Sequence, residues 1–133
     1  MPSKSYYIKK AVSIHGHYGP SLMLGLKSCL YAKSVLGNVT KCVVRTVGRK
    51  PYLCVLDGIK ASSKCKITHE EWDGLSFIYF NGQQKIKMTL KGTLLSRYFN
   101  RPWDELEALA NEVDQKDVSD LFEIVMPPYS IGG

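Results

Sequence analysis

The stretch that most constrains this chain is residues 20–36, Pro-Ser-Leu-Met-Leu-Gly-Leu-Lys-Ser-Cys-Leu-Tyr-Ala-Lys-Ser-Val-Leu. Proline suits the first turn of a helix, where no backbone donor is needed, and Gly37-Asn38 supplies a stop. Leu22, Leu24, Leu26, Cys29, Leu30, Tyr31, Val35 and Leu36 cover most of the helix circumference. A helix this apolar must be buried on more than one side, so the fold has to wrap other elements around it. Gly25 interrupts the apolar run, which predicts a second backbone passing close by. The 133 residues suffice for one core of this kind, so one domain over 1–133 is expected and a multi-domain enzyme is excluded.

The flanking segments supply the partners. Ser5 to Ile14 carries a short apolar stripe, and the helix it predicts stops at His15-Gly16-His17-Tyr18-Gly19-Pro20. Val39 to Val47 reads as a strand, and Cys54 to Cys65 as a short helix after Pro51. Leu75–Phe80 and Lys85–Leu90 flank Asn81-Gly82, a pair that tolerates the positive φ of a tight hairpin turn. The first of these strands is apolar enough to predict a cover on its second face, by a helix or another subunit. Pro102 to Val113 and Asp117 to Val125 read as acidic helices, with a tail from Tyr129 to Gly133 expected to fray. This order predicts an α+β domain with helices on one face of a mixed, mainly antiparallel sheet. His69 is expected on the surface in a loop, and Trp72 and Trp103 as packing anchors.

Charge is strongly polarised along the chain. Residues 1–66 hold ten Lys and two Arg against the single acid Asp57, a balance of +11. Residues 67–133 hold four Lys and two Arg against eleven acids, a balance of −5. A basic front half raises nucleic-acid binding as a function, but no helix-turn-helix, zinc-finger or RNA-binding motif accompanies it. Most of the charge reads as an ordinary solvated face over two helices and a strand, so nucleic acid is the least favoured partner. An anionic small molecule near Pro20, where the long helix presents free N–H groups, uses the charge better. No stretch is long and apolar enough to span a membrane, and the first residues lack the apolar core of a signal peptide, so a cytoplasmic location and no membrane partner are expected.

Two segments carry chemistry. His15-Gly-His17 places two of the three histidines in one glycine-flanked loop, where imidazoles one residue apart can converge on a metal. The same pattern also fits one histidine capping a helix beside another on the surface. Cys54 and Asp57, three residues apart, share one helical face. At a helix N-terminus Cys54 would have a lowered thiol pKa and act as a thiolate ligand or nucleophile; otherwise it is a buried structural cysteine. Cys65 lies at the far end of the same expected helix, and Cys29 and Cys42 belong to the core. Four irregularly spaced cysteines without a CxxC pair argue against a disulfide framework or zinc ribbon.

Taken in order, His15-Gly-His17-x-Gly19-Pro20-x-x-x-x-Gly25, then Cys54-x-x-Asp57-Gly58-Ile59 and Cys65, resemble the FmdE domain of formylmethanofuran dehydrogenase, over about residues 5–91. The resemblance implies an α+β fold related to the catalytic domain of glyceraldehyde-3-phosphate dehydrogenase, a homodimer, and a pocket whose histidines and cysteines bind a divalent metal such as zinc. Carried over by position, it makes His15, His17 and Cys54 the leading metal ligands, with Cys65 in support and Asp57 and Cys54 as catalytic candidates. The chain departs from the family pattern at Gly19, where many relatives have cysteine, and at Ser21, where they have glycine. The family's Thr-Gly-Cys-Thr-Leu-Gly-Lys is here Ser63-Lys-Cys-Lys-Ile-Thr-His69, and the acidic segment 92–133 stands where longer members carry a zinc ribbon.

Two imidazoles and a thiolate leave an open tetrahedral position on zinc, where a bound water becomes a nucleophile with Asp57 as proton acceptor or supporting partner. The expected function is therefore a metal-dependent pocket acting on a small anionic substrate. The alternatives are a non-catalytic accessory or adaptor domain linked to one-carbon or molybdenum-enzyme metabolism, and a nucleic-acid binder.

Overall fold

Ser3 caps the first helix, its hydroxyl accepting from the Tyr6 N–H, in a computed structural model that describes residues 3–126. Helix α1 (Lys4–His15) ends at Gly16, whose φ of 102° only glycine adopts without strain. Helix α2 (Pro20–Leu36) has proline in its first turn and ends at Gly37. Strand β1 (Lys41–Thr46) follows, then a 3-10 turn (Tyr52–Cys54) that runs into α3 (Val55–Ser62). Next come β2 (Lys66–Glu71), β3 (Leu75–Asn81), β4 (Gln84–Leu90) and α4 (Gly92–Tyr98). A second 3-10 turn (Trp103–Glu105) leads into α5 (Leu106–Gln115), α6 (Val118–Leu121) and β5 (Phe122–Val125).

The sheet order is β2-β1-β3-β4-β5, with β1 and β2 parallel and the remaining pairs antiparallel, so the α+β class with a mixed, mainly antiparallel sheet holds. One face of the sheet, bearing Cys42, Val44, Phe77, Tyr79, Ile86, Met88 and Phe122, forms one core with α2, α3 and α5. Leu22, Met23, Leu24, Leu26, Cys29 and Ala32 in α2 are fully buried, as the circumferential apolar pattern requires. The Gly25 expectation is met directly. A Cβ built there would lie 2.1 Å from the Val55 carbonyl oxygen, and one at Gly58 would lie 2.3 Å from that of Leu22. Helices α2 and α3 therefore cross backbone against backbone, each through its own glycine.

Several expectations are corrected. Residues 66–71 are strand, so His69 is not in a loop, although it is exposed; its Nε2 lies 2.8 Å from the Thr46 carbonyl oxygen. An edge strand with one neighbour has few residues to bury, so Lys-Ile-Thr-His-Glu-Glu shows no apolar alternation. Residues 117–125 form one helical turn and then β5, because the outer edge of β4 offers Phe122 and Ile124 a ladder and a core face. Helix α4 opens the segment 92–133 that was expected to be helical, ahead of the helix placed from Pro102. Trp72 and Trp103 are exposed rather than packed, at 43% and 72%. On the second face of β3, Ser76 is buried and Ile78 and Phe80 are half-buried. The tail Tyr129 to Gly133 lies outside the described residues. No helix among the described residues is long and apolar enough to cross a membrane.

The acidic segment docks on the basic front of its own chain. Lys4 Nζ lies 2.8 Å from an Asp114 carboxylate oxygen, and Lys27 Nζ donates to the carbonyls of Asp114 and Lys116. Within it, Glu112 accepts from Arg97 and from the Tyr98 hydroxyl at 2.5 Å, and the Arg97 contact above all holds its carboxyl down at about 2 against an ordinary 4.5. A depressed folded-state pKa contributes stability that is present above pH 4.5 and is lost as pH falls toward 2. Acid titration of thermal unfolding is expected to show that loss, flattened in Glu112→Gln; an unchanged acid limb in the variant would assign it to other carboxylates.

Candidate functional site

His15 is the last residue of α1, and α1 packs on α3, which brings it to the Asp57 side chain in the first turn of that helix. His15 Nδ1 lies 2.8 Å from Asp57 Oδ2, with the imidazole only 7% exposed. A carboxylate only accepts, so Nδ1 carries a hydrogen, and in the neutral tautomer the lone pair stands on Nε2. That Nε2 is fully buried and has no hydrogen-bond partner. The sequence pattern placed a histidine pair and a carboxylate forty residues apart; the α1–α3 contact joins them.

The turn at Gly16 carries the chain to His17, whose ring centroid lies 4.4 Å from that of His15 and 4.9 Å from Trp103. Burial first, then the neighbouring His15 and Lys50, push the His17 pKa below its usual 6.5. His17 is therefore mainly neutral at pH 7 and offers a lone pair. Beyond it opens a cavity of about 370 Å³. Its floor is the start of α2, from Gly19 to Ser21, together with Cys54. Lys50 and Pro51, from the turn after β1, form one side. Tyr98, Asn100, Arg101, Trp103 and Leu106 close the other.

That second wall escaped the sequence reading, which placed the site within residues 5–91. Its signals were present but local: an arginine within an acidic segment, and an Asn100 that adopts a positive φ of 61°. Asn100 Nδ2 donates to the Tyr52 hydroxyl at 2.9 Å, tying this loop to the turn that precedes α3.

The expected ligands are brought together only in part. Cys54 lines the cavity, but it is 6% exposed and its thiol pKa is raised, not lowered. Burial outweighs the opposing influence of the Ser21 hydroxyl and Lys50, so the expected thiolate gives way to a protonated thiol. Cys65 is elsewhere: it follows the far end of α3, an eight-residue helix about 12 Å long. It lies within electrostatic reach of Cys29 and Cys42, which are core residues as expected. Among the described residues no three His, Cys, Asp or Glu side chains form a group that could hold a metal ion. His15 fits one zinc-ligand position, since metal-bound imidazoles characteristically donate their other nitrogen to a carboxylate, but the full set of His15, His17, Cys54 and Cys65 is not assembled.

A Cβ at Gly19 would lie 3.3 Å from His17 Nε2. Its backbone is extended, with φ of −144°, a conformation open to any residue. A side chain at this position would thus start beside the His17 imidazole.

The chain matches no model of a known protein family and no curated protein.

Proposed function

We propose that this chain is a pocket protein of the formylmethanofuran dehydrogenase FmdE type that binds a small anionic molecule over the start of α2, with His17 as proton acceptor. The supporting observation is the composition of the cavity. It gathers both motif regions and the cations Lys50 and Arg101 over the first turn of a 17-residue helix. Unpaired N–H groups and the helix dipole favour negative charge at that point, Lys50 adds charge-assisted donors, and Arg101, whose Nε and Nη2 donate to Glu105, has its remaining N–H groups to offer. A neutral imidazole at the wall accepts a proton from a bound acid or hydroxyl. The His15–Asp57 pair lies beside His17, the two imidazole centroids 4.4 Å apart.

Calorimetric titration with inorganic phosphate and with short mono- and dicarboxylates tests this. One of these probes is expected to bind, and Lys50→Ala and Arg101→Ala each weaken it about tenfold, the cost of a charged hydrogen bond. Failure of every probe, or binding by both variants as tight as that of the unaltered protein, would overturn the reading.

A second reading has one specific observation in its favour, the buried and unpartnered Nε2 of His15 whose other nitrogen is held by Asp57. In it, His15 and His17 hold a divalent metal, zinc first, with Cys54 as the third donor. Bound there, zinc would act as a Lewis acid toward the anion.

A further inference from the structure

The lysines that are scattered in the sequence are gathered by the sheet. Residues 66, 41, 80 and 85 are register partners across β2, β1, β3 and β4, which makes Lys66, Lys41, Phe80 and Lys85 one continuous row. The alternate row, Ile67, Cys42, Tyr79 and Ile86, belongs to the helix-covered core, so the lysine row faces away from it. Lys41, Lys66 and Lys85 are exposed, and Lys41 Nζ lies 5.5 Å from the centroid of the half-buried Phe80 ring. The next row holds Thr68, Val43, Ile78 and Lys87. Acids first occur one row further on, where Glu70 is paired with Arg45 at 2.9 Å. Around the β2 edge, Lys64 leads into a cleft of about 240 Å³ whose lining includes Lys10, Lys33, Lys60 and the exposed Tyr6, and no acid among the described residues.

Like charges directly opposite on neighbouring strands cost stability. Lys41 and Lys66 stand in that relation with no acid in their row, an arrangement that a purely structural surface has no reason to keep. The cations also flank the half-buried side chains of Ile78 and Phe80, which a simple polyanion would leave uncovered and a base face would cover. A flat sheet face has no helix or arm to enter a duplex groove, whereas it suits splayed single-stranded bases.

We infer that this face binds single-stranded nucleic acid, with Lys41 and Lys66 on phosphates and a base on Phe80. The site is remote in the fold from the His17 cavity, because it lies where β1 begins, and the cavity lies where the chain leaves β1. It replaces the expectation of an ordinary solvated basic face.

The test is fluorescence anisotropy with labelled single-stranded RNA and DNA of about 20 nucleotides, which spans a single-domain site. Binding by three or four lysines gives a log–log salt slope of about −2 to −3, and Lys41→Gln with Lys66→Gln reduces it by about 1.4 and weakens binding at least about tenfold. Both residues are exposed, and thermal unfolding at or above that of the unaltered protein will show that the double variant folds. Phe80→Ala weakens the oligonucleotide but not inorganic polyphosphate, while Lys91→Gln at the other end of β4 leaves both unchanged. The inference is overturned by no binding at about 50 mM salt, where backbone contacts are strongest. It is equally overturned if the double variant binds normally, if Lys91→Gln is as damaging, or if a polyglutamate peptide binds as tightly and Phe80→Ala has no effect, which would make the occupant an acidic protein.

Discussion

Gly25→Ala is expected to destabilise the protein by at least about 3 kcal/mol, the upper end for inserting a methyl into a packed core. The added Cβ would sit 2.1 Å from the Val55 carbonyl oxygen, with the Val55 carbonyl carbon at 2.9 Å. Both obstacles are backbone of α3, so no side-chain rotation relieves the clash. Either α3 shifts, breaking the fit of Val55 and Ile59 in the core, or α2 moves off the sheet. Thermal unfolding is expected to drop by about 10 °C or more for a domain of this size. Gly92→Ala is the control, since a Cβ there meets nothing within 4 Å and α4 gains a better helix former. Equal stability of the two variants would refute the backbone contact between α2 and α3. The consequence extends to the pocket, because α2 carries Ser21 and α3 follows directly on Cys54, both of which line it.

Gly19→Cys is expected to raise zinc affinity by more than about tenfold, because it adds a further thiol donor beside the His17 imidazole. The new Cβ would start 3.3 Å from His17 Nε2, so a small shift of the ring accommodates it and leaves the sulfur beside the lone pair. Competition with a chromogenic chelator at pH 7 reads the affinity, and His17→Ala in the Gly19→Cys background should remove the gain. An unchanged affinity would end the metal reading of this site. The anion reading would stand apart from that result, since it rests on Lys50, Arg101 and the start of α2.

The sequence made the helical core legible because its signals are local. The apolar circumference of residues 20–36, their proline start and glycine stop, and the Asn81-Gly82 turn each act through nearest neighbours, and all appear in the fold. The two edge strands were illegible for the opposite reason. Residues 66–71 and 122–125 become strands because β1 and β4 present open ladders, a property of the partner and not of the segment. The candidate site divides the same way. His15, His17, Cys54 and Asp57 were visible as motifs, whereas Arg101 and Trp103 carry no motif and reach the cavity because α5 docks on α2.

The opening stretch shows where the boundary lies. By itself the sequence determined that residues 20–36 form a helix buried on several sides and that Gly25 marks a close approach, because side-chain periodicity and the absence of a Cβ are written in the chain. Only the tertiary structure decided that the approaching backbone is α3, meeting Gly25 through Gly58. That crossing, with α1 packed on α3, brings Asp57 to His15 and sets Cys54 beside Ser21. Burial then decides protonation, keeping the Cys54 thiol protonated and His17 neutral, because desolvation depends on what surrounds a group and not on where it stands in the chain.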